Sequence, residues 1–106
     1  MALRRLGRTD IEITPVGLGC WQFGGDFGDM KKTTALSIME KAVANGINFF
    51  DTAANYGAGH SEMVLGQALA GRRDKVIIAT KFGHIVNEAK KIVFGDDDQI
   101  LENVRL

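Results

Sequence analysis

The 106-residue sequence predicts an α/β fold built on parallel strands, and three observations carry that prediction. Strand-like apolar starts recur near residues 16, 47 and 76, about thirty residues apart, which is one βαβ period each without repetition of sequence. Helix-patterned stretches lie between them, opening on Thr or Ser and closing on Gly. The strand segments Ile47–Phe50 and Val76–Thr80 are apolar on consecutive positions rather than alternating, the pattern of strands covered on both faces. A (β/α)8 barrel takes roughly 250 residues. The chain therefore has room for three of eight such units and a leading hairpin, organised as one domain over residues 1–106.

The elements follow in order. Leu3–Leu6 and Ile11–Thr14 flank Gly7-Arg8-Thr9-Asp10, and the alternation of Ile11 and Ile13 with Glu12 and Thr14 predicts an antiparallel hairpin within residues 1–15. Pro15 ends it. Residues 16–83 then supply three parallel strands and two helices, beginning with Val16–Gly19, whose glycines admit close backbone approach. Cys20–Met30 is Gly- and Asp-rich and carries Trp21, Phe23 and Phe27, as a long loop at the active face would. Thr33 or Thr34 is expected to cap a helix with the stripe Ala35, Leu36, Ile38, Met39, Ala42 and Val43, stopped by Asn45-Gly46. Ser61 is expected to cap a second helix, with Glu62 in its first turn, Val64, Leu65, Ala68 and Leu69 on its apolar face, and Gly71 as its stop. Residues 84–106 read as an inserted hairpin, Ile85-Val86 with Ile92–Phe94, followed by the start of a third helix capped by Asp96 or Asp97 and carrying Ile100, Leu101 and Val104.

Composition narrows the function classes. Thirteen basic and thirteen acidic residues cancel, and no Lys/Arg run exceeds two, so neither nucleic acid nor an anionic membrane surface is indicated as a partner. No apolar run is long enough to span a bilayer or to form a signal core. A cytoplasmic location is the expectation. Cys20, the single cysteine, excludes an internal disulfide and a cysteine-built zinc site, and reads first as a small buried residue. His60 and His84 lack partners at metal-ligand spacing, so no metal is expected.

The chemistry gathers in Ile47–Tyr56, where an apolar strand ends on Asp51 and a loop brings Tyr56 five residues later. The carboxyl ends of parallel strands are where loops can carry side chains into a cleft. If the second and third strands are neighbours, about 4.8 Å apart, Asp51 and Lys81 leave the same end of the sheet within ion-pair reach. An ammonium held there stabilises the phenolate of Tyr56 and makes its phenol a usable general acid. Reduction of a carbonyl needs such an acid, with the hydride supplied by a nicotinamide. The same residues also fit an Asp-Lys pair that merely joins two strands, with Tyr56 on the surface. Gly17-Leu18-Gly19 has Gln22 where the dinucleotide fingerprint requires a third glycine, so a Rossmann reading is poor. Trp21, Phe23 and Phe27 fit either loop packing or a pocket for an apolar substrate.

Gly-Leu-Gly-Cys-Trp at residues 17–21, Asn-Phe-Phe-Asp-Thr-Ala-Ala-Asn-Tyr-Gly at 48–57, Ser-Glu-Met-Val-Leu-Gly-Gln-Ala-Leu at 61–69 and Ala-Thr-Lys-Phe-Gly at 79–83 together resemble the aldo-keto reductase superfamily. The match is closest to its bacterial branch with a hairpin after the third strand. The resemblance implies a (β/α)8 barrel closed at the bottom by the leading hairpin, and reduction of aldehydes and ketones with NADPH, without metal. It implies that Tyr56 is the proton donor, Lys81 the lysine that favours its phenolate, and Asp51 the aspartate that holds Lys81 and reaches the cofactor's ribose. Gly19, Cys20 and Trp21 match positions along the nicotinamide half. Cys20 replaces a commoner threonine, so only its backbone contact carries over, and Trp21 also faces substrate together with Tyr56. The family's fourth catalytic residue, a histidine ending strand four, has no match here, because the sequence ends before that strand; His84 is not in its place. The loops for the pyrophosphate and adenosine phosphate also have no match. Two alternatives remain, a non-catalytic binding or regulatory subunit of the same fold and a truncated gene product. A partial barrel is expected to be inactive alone and to self-associate through its open edges.

Overall fold

The structure, a computed structural model, describes residues 2–25, 30–86, 92–94 and 98. The leading hairpin is present but short. β1 (Arg4–Arg5) pairs antiparallel with β2 (Glu12–Ile13), Arg4 opposite Ile13. Gly7, at φ +57°, turns the chain, and Thr9 locks the turn by donating its hydroxyl to the Leu6 carbonyl at 2.6 Å while accepting the Ile11 amide.

β3 (Leu18–Gly19), β4 (Phe49–Asp51) and β5 (Ile77–Ala79) form one parallel sheet in chain order, so the expected adjacency of the second and third strands holds. The register places Gly19 opposite Asp51 and Asp51 opposite Ala79, with Leu18, Phe50 and Ile78 in the next row. Residues opposite one another share a face, and faces alternate along a strand. One face thus carries Phe50, fully buried in a core with Met39, Leu65, Val64 and Leu69 and with Leu18 and Ile78 packed against it. The other carries Gly19, Asp51, Ala79 and, two residues on, Lys81.

That second face corrects an expectation. The sequence predicts a third strand covered on both faces, yet Ile77, Ile78 and Ala79 are all only half-buried. Among the described residues β5 pairs only with β4, and no second layer lies over the Asp51 face. The strand's apolar composition suits a closed barrel interior that these residues alone do not complete.

α1 (Lys32–Ala44) and α2 (His60–Ala68) pack against each other and lay their apolar stripes on the sheet. Ala35, Met39 and Ala42 are buried at i, i+4 and i+7, flanked by half-buried Leu36, Ile38 and Val43. Asn45 and Gly46 stop α1 as expected, Gly46 at φ +86° donating its amide to the Val43 carbonyl. Both expected caps are corrected. The Ala35 amide already bonds the Lys31 carbonyl, which draws Thr33 and Thr34 into the first turn, and Lys31 holds the cap position without a side-chain bond. α2 starts at His60 behind Gly59, so Ser61 is an interior residue. After Gly71 a 3-10 turn, Arg73–Lys75, leads into β5.

The hairpin sits at the sheet's amino-terminal end. Asn48, just before β4, accepts the Thr14 amide at 2.8 Å and donates to the Glu12 carbonyl at 3.0 Å. This ties the hairpin to the end opposite Asp51, where the sequence reading put it. β6 (His84–Val86) and β7 (Ile92–Phe94) form the expected second antiparallel hairpin. Asp98 is helical; the rest of the expected third helix, and Phe27, lie outside the described residues. Among the described residues no helix is long and apolar enough to cross a membrane, and no cluster of three or more His, Cys, Asp or Glu could hold a metal ion.

Candidate active site

The register alone sets up the site. Asp51 closes β4, and Lys81 lies two residues beyond Ala79, its partner across the sheet, so both side chains leave the same face at the same end. The Lys81 ammonium donates to Asp51 Oδ1 at 2.8 Å and to the Thr52 carbonyl at 2.8 Å. It stands 5.1 Å from the centre of the Tyr56 ring, within cation–π range. The Asp51 hydrogen bond, foremost, raises the Lys81 pKa above the ordinary lysine value, with Tyr56 adding to it and partial burial opposing. Lys81 is therefore a fixed positive charge at neutral pH. Its side chain and that of Asp51 are about half exposed, 52% and 50%, so the pair adds little to stability. The geometry it imposes matters more than its energy.

The loop that presents Tyr56 is tightly wound. Gly57, Ala58 and Gly59 all have left-handed backbone, at φ +62°, +53° and +97°, and Ala58 is the sole non-glycine with positive φ among the described residues. A non-glycine residue there costs on the order of 1 kcal/mol. The Tyr56 carbonyl accepts the Ser61 amide at 3.2 Å, and the Ala54 amide bonds the Lys81 carbonyl at 3.3 Å. Tyr56 itself is half-buried.

The first loop lies beside this group. Gly19 is opposite Asp51, and a side chain added to Gly19 would meet nothing within 4 Å, so its backbone faces open space. Trp21 opens a 3-10 turn, Trp21–Gly24, and is 46% exposed. Cys20 between them is fully buried, its amide on the Asp51 carbonyl at 2.8 Å and its thiol toward the Leu18 carbonyl. Burial foremost, then the Asp51 charge, pushes its pKa from 9.0 up to about 12, against lesser opposing effects of the Asp51 backbone and Lys81.

The folded thiol keeps its proton where the unfolded one loses it, so this contribution to stability is complete below the unfolded value near 9.0 and fades as pH rises toward about 12. Native Cys20 should resist iodoacetamide at pH 8 and react in urea, and Cys20→Ala should flatten the loss of stability between pH 9 and 11. Rapid labelling of the native chain would contradict both the burial and the sign.

Sequence reasoning missed one group. Ser61, fully buried, donates its hydroxyl to the Cys20 carbonyl at 2.7 Å and shares a hydrogen bond with Thr52 Oγ1 at 2.9 Å. Ser61 was expected to be a cap, and its hydroxyl instead crosses to the first loop. Thr80 donates to Glu62 at 2.6 Å, fastening the residue before Lys81 to α2. His60 opens α2 and His84 opens β6, outside the strand ends that carry Asp51 and Lys81 in sequence.

A family model described as the aldo/keto reductase family matches residues 15–105. The NADH-specific methylglyoxal reductase of Escherichia coli (strain K12) is 39% identical over 105 residues, covering 93% of this chain and 32% of that protein. An uncharacterized oxidoreductase of Bacillus subtilis (strain 168), YqkF, is 43% identical over 84 residues, 79% of this chain and 26% of the relative. Among solved structures, aldo-keto reductase AKR11C1 from Bacillus halodurans in its holo form superposes with a TM-score of 0.83 at 33% identity, over 98% of this chain and 34% of that one. The chain spans about a quarter to a third of the length of these curated relatives.

Proposed function

The chain belongs to the aldo/keto reductase family and forms the first units of its (β/α)8 barrel, and from that premise we propose that it supplies the proton-donating half of a nicotinamide-dependent carbonyl reductase site. One observation carries this reading: Lys81, held by Asp51 Oδ1 and the Thr52 carbonyl, stands 5.1 Å over the Tyr56 ring at the carboxyl end of the sheet. Tyr56 is the acid. Its hydroxyl gives a proton to the carbonyl oxygen of an aldehyde or ketone, and the phenolate left behind is compensated by the ammonium until solvent returns the proton. Asp51 keeps Lys81 aimed and charged. The product is the alcohol.

The open backbone at Gly19, the exposed Trp21 beside it and the Asp51 carboxylate across the sheet make a surface that fits the nicotinamide and ribose of NAD(P)H. Such a cofactor supplies the hydride that adds to the carbonyl carbon. Gly19, Cys20 and Trp21 would hold it through the backbone of the first loop, with Trp21 and Tyr56 bordering the substrate. We favour NADPH, for which a Klebsiella pneumoniae relative solved with NADPH is a precedent, at a TM-score of 0.59 and 29% identity. The E. coli relative, named as NADH-specific, is the counter-example. The dependence on a reduced nicotinamide, kept inside cells, supports a cytoplasmic location.

Joining this chain to the remaining βα units of the E. coli relative tests the reading. Fluorescence titration with NADPH should show binding, and a test aldehyde should be turned over, with the completed barrel and not with the 106-residue chain. Tight binding by the chain alone would place the cofactor site elsewhere and defeat the assignment.

A further inference from the structure

We propose that Gly24 and Ser61 are positioning residues that set the distance of the Tyr56 phenol from the Lys81 ammonium; the proposal rests on Tyr56 being the proton donor. The Tyr56 loop touches the first loop backbone to backbone. A Cβ on Gly24 would stand 2.5 Å from the Tyr56 carbonyl carbon and 2.6 Å from the Gly57 amide nitrogen, and a Cβ on Gly57 would run into the Gly24 carbonyl. Real Cβ atoms essentially never come within 3.0 Å of such atoms, and what stands there is main chain, which cannot rotate aside. Any side chain at residue 24 must therefore push the two loops apart, changing how the segment that carries Tyr56 is seated against the first loop.

Ser61 fixes the same segment from the other side. Its amide holds the Tyr56 carbonyl at 3.2 Å, and its hydroxyl spans the Cys20 carbonyl and Thr52 Oγ1. The Thr52 carbonyl is in turn an acceptor for the Lys81 ammonium. One buried residue thus connects the first loop, the Tyr56 loop and the strand end that anchors Lys81. With Gly57, Ala58 and Gly59 all in left-handed backbone, the loop needs outside restraint to hold one geometry.

The test separates positioning from packing. Gly24→Ala and Ser61→Ala are compared with Gly66→Ala, a helical position where an added Cβ meets nothing within 4 Å. In the full chain and in the completed barrel, the ring-current shift of the Lys81 side-chain protons, defined against Tyr56→Leu, should fall by at least half in the first two variants and stay unchanged in the third. In the completed barrel kcat should drop roughly 10- to 100-fold, the cost of an ångström-scale misplacement, with KM for the cofactor little changed. Should Gly24→Ala not fold, Ser61→Cys, which keeps volume and amide while weakening the hydroxyl's bonds, carries the same expectation. Folded variants that retain both the ring-current shift and kcat overturn the proposal. Full turnover by Tyr56→Phe would instead defeat the donor assignment, and the ring-current shift would still decide the positioning.

Discussion

Tyr56→Phe in the completed barrel should lower kcat by about 10²- to 10⁴-fold, the usual contribution of a positioned general acid, while NADPH binding stays within twofold. The substitution removes one oxygen and leaves the ring under the Lys81 ammonium, so the cation–π contact at 5.1 Å survives, while the proton and the hydroxyl's lesser support of the Lys81 charge are lost. Lys81→Met should be as damaging for a different reason. The phenol remains, but the charge that compensates its phenolate is gone, together with the hydrogen bonds to Asp51 and Thr52. Asp51→Asn should be milder in its effect on the proton step, because the Thr52 carbonyl still accepts from Lys81. Steady-state kinetics with one aldehyde, set beside fluorescence titration of cofactor, reads all three. A Tyr56→Phe enzyme with undiminished kcat would show that another group supplies the proton, and the site would have to be rebuilt around it.

The parts of this arrangement that were legible in the sequence are those fixed by short-range rules. Asp51 and Lys81 come together on the condition that the second and third strands are neighbours, since parallel strands put their carboxyl ends on one side, and the observed order β3-β4-β5 meets that condition. The core stripe of α1 followed from its period, and the stop at Asn45-Gly46 from glycine's freedom at positive φ. Ser61 was misread for a physical reason: a serine ahead of an apolar helical pattern is ordinarily a cap, but here Gly59 takes that role and frees the hydroxyl to reach 41 residues back to the Cys20 carbonyl. The contact between Gly24 and Tyr56-Gly57 was equally hidden. It joins residues 32 and 33 apart in sequence, and the absence of a side chain leaves no pattern to detect. The half-exposure of β5 was missed because its composition reports the environment of a closed barrel, not that of three strands.

The same open face gives the second large effect, on assembly rather than catalysis. Parallel strands buried on one side only leave Phe49, Ile77 and Ala79 half-exposed, and the outer edge of β5 has no strand partner among the described residues. Phe82 is 64% exposed and Val16 56%, adding apolar surface that water does not favour. Edges of this kind recruit other strands, and exposed apolar patches recruit other surfaces. Multi-angle light scattering on the 106-residue chain should therefore give a mass well above one 11.5 kDa chain, rising with concentration. The completed barrel should run as a defined species with a cooperative melt, because its additional strands satisfy the edge and cover the face. Salt should not reverse the association, since the contact is apolar and the chain carries no net charge. A compact monomer of the isolated chain with a cooperative melt would mean that these units satisfy their own edge and face.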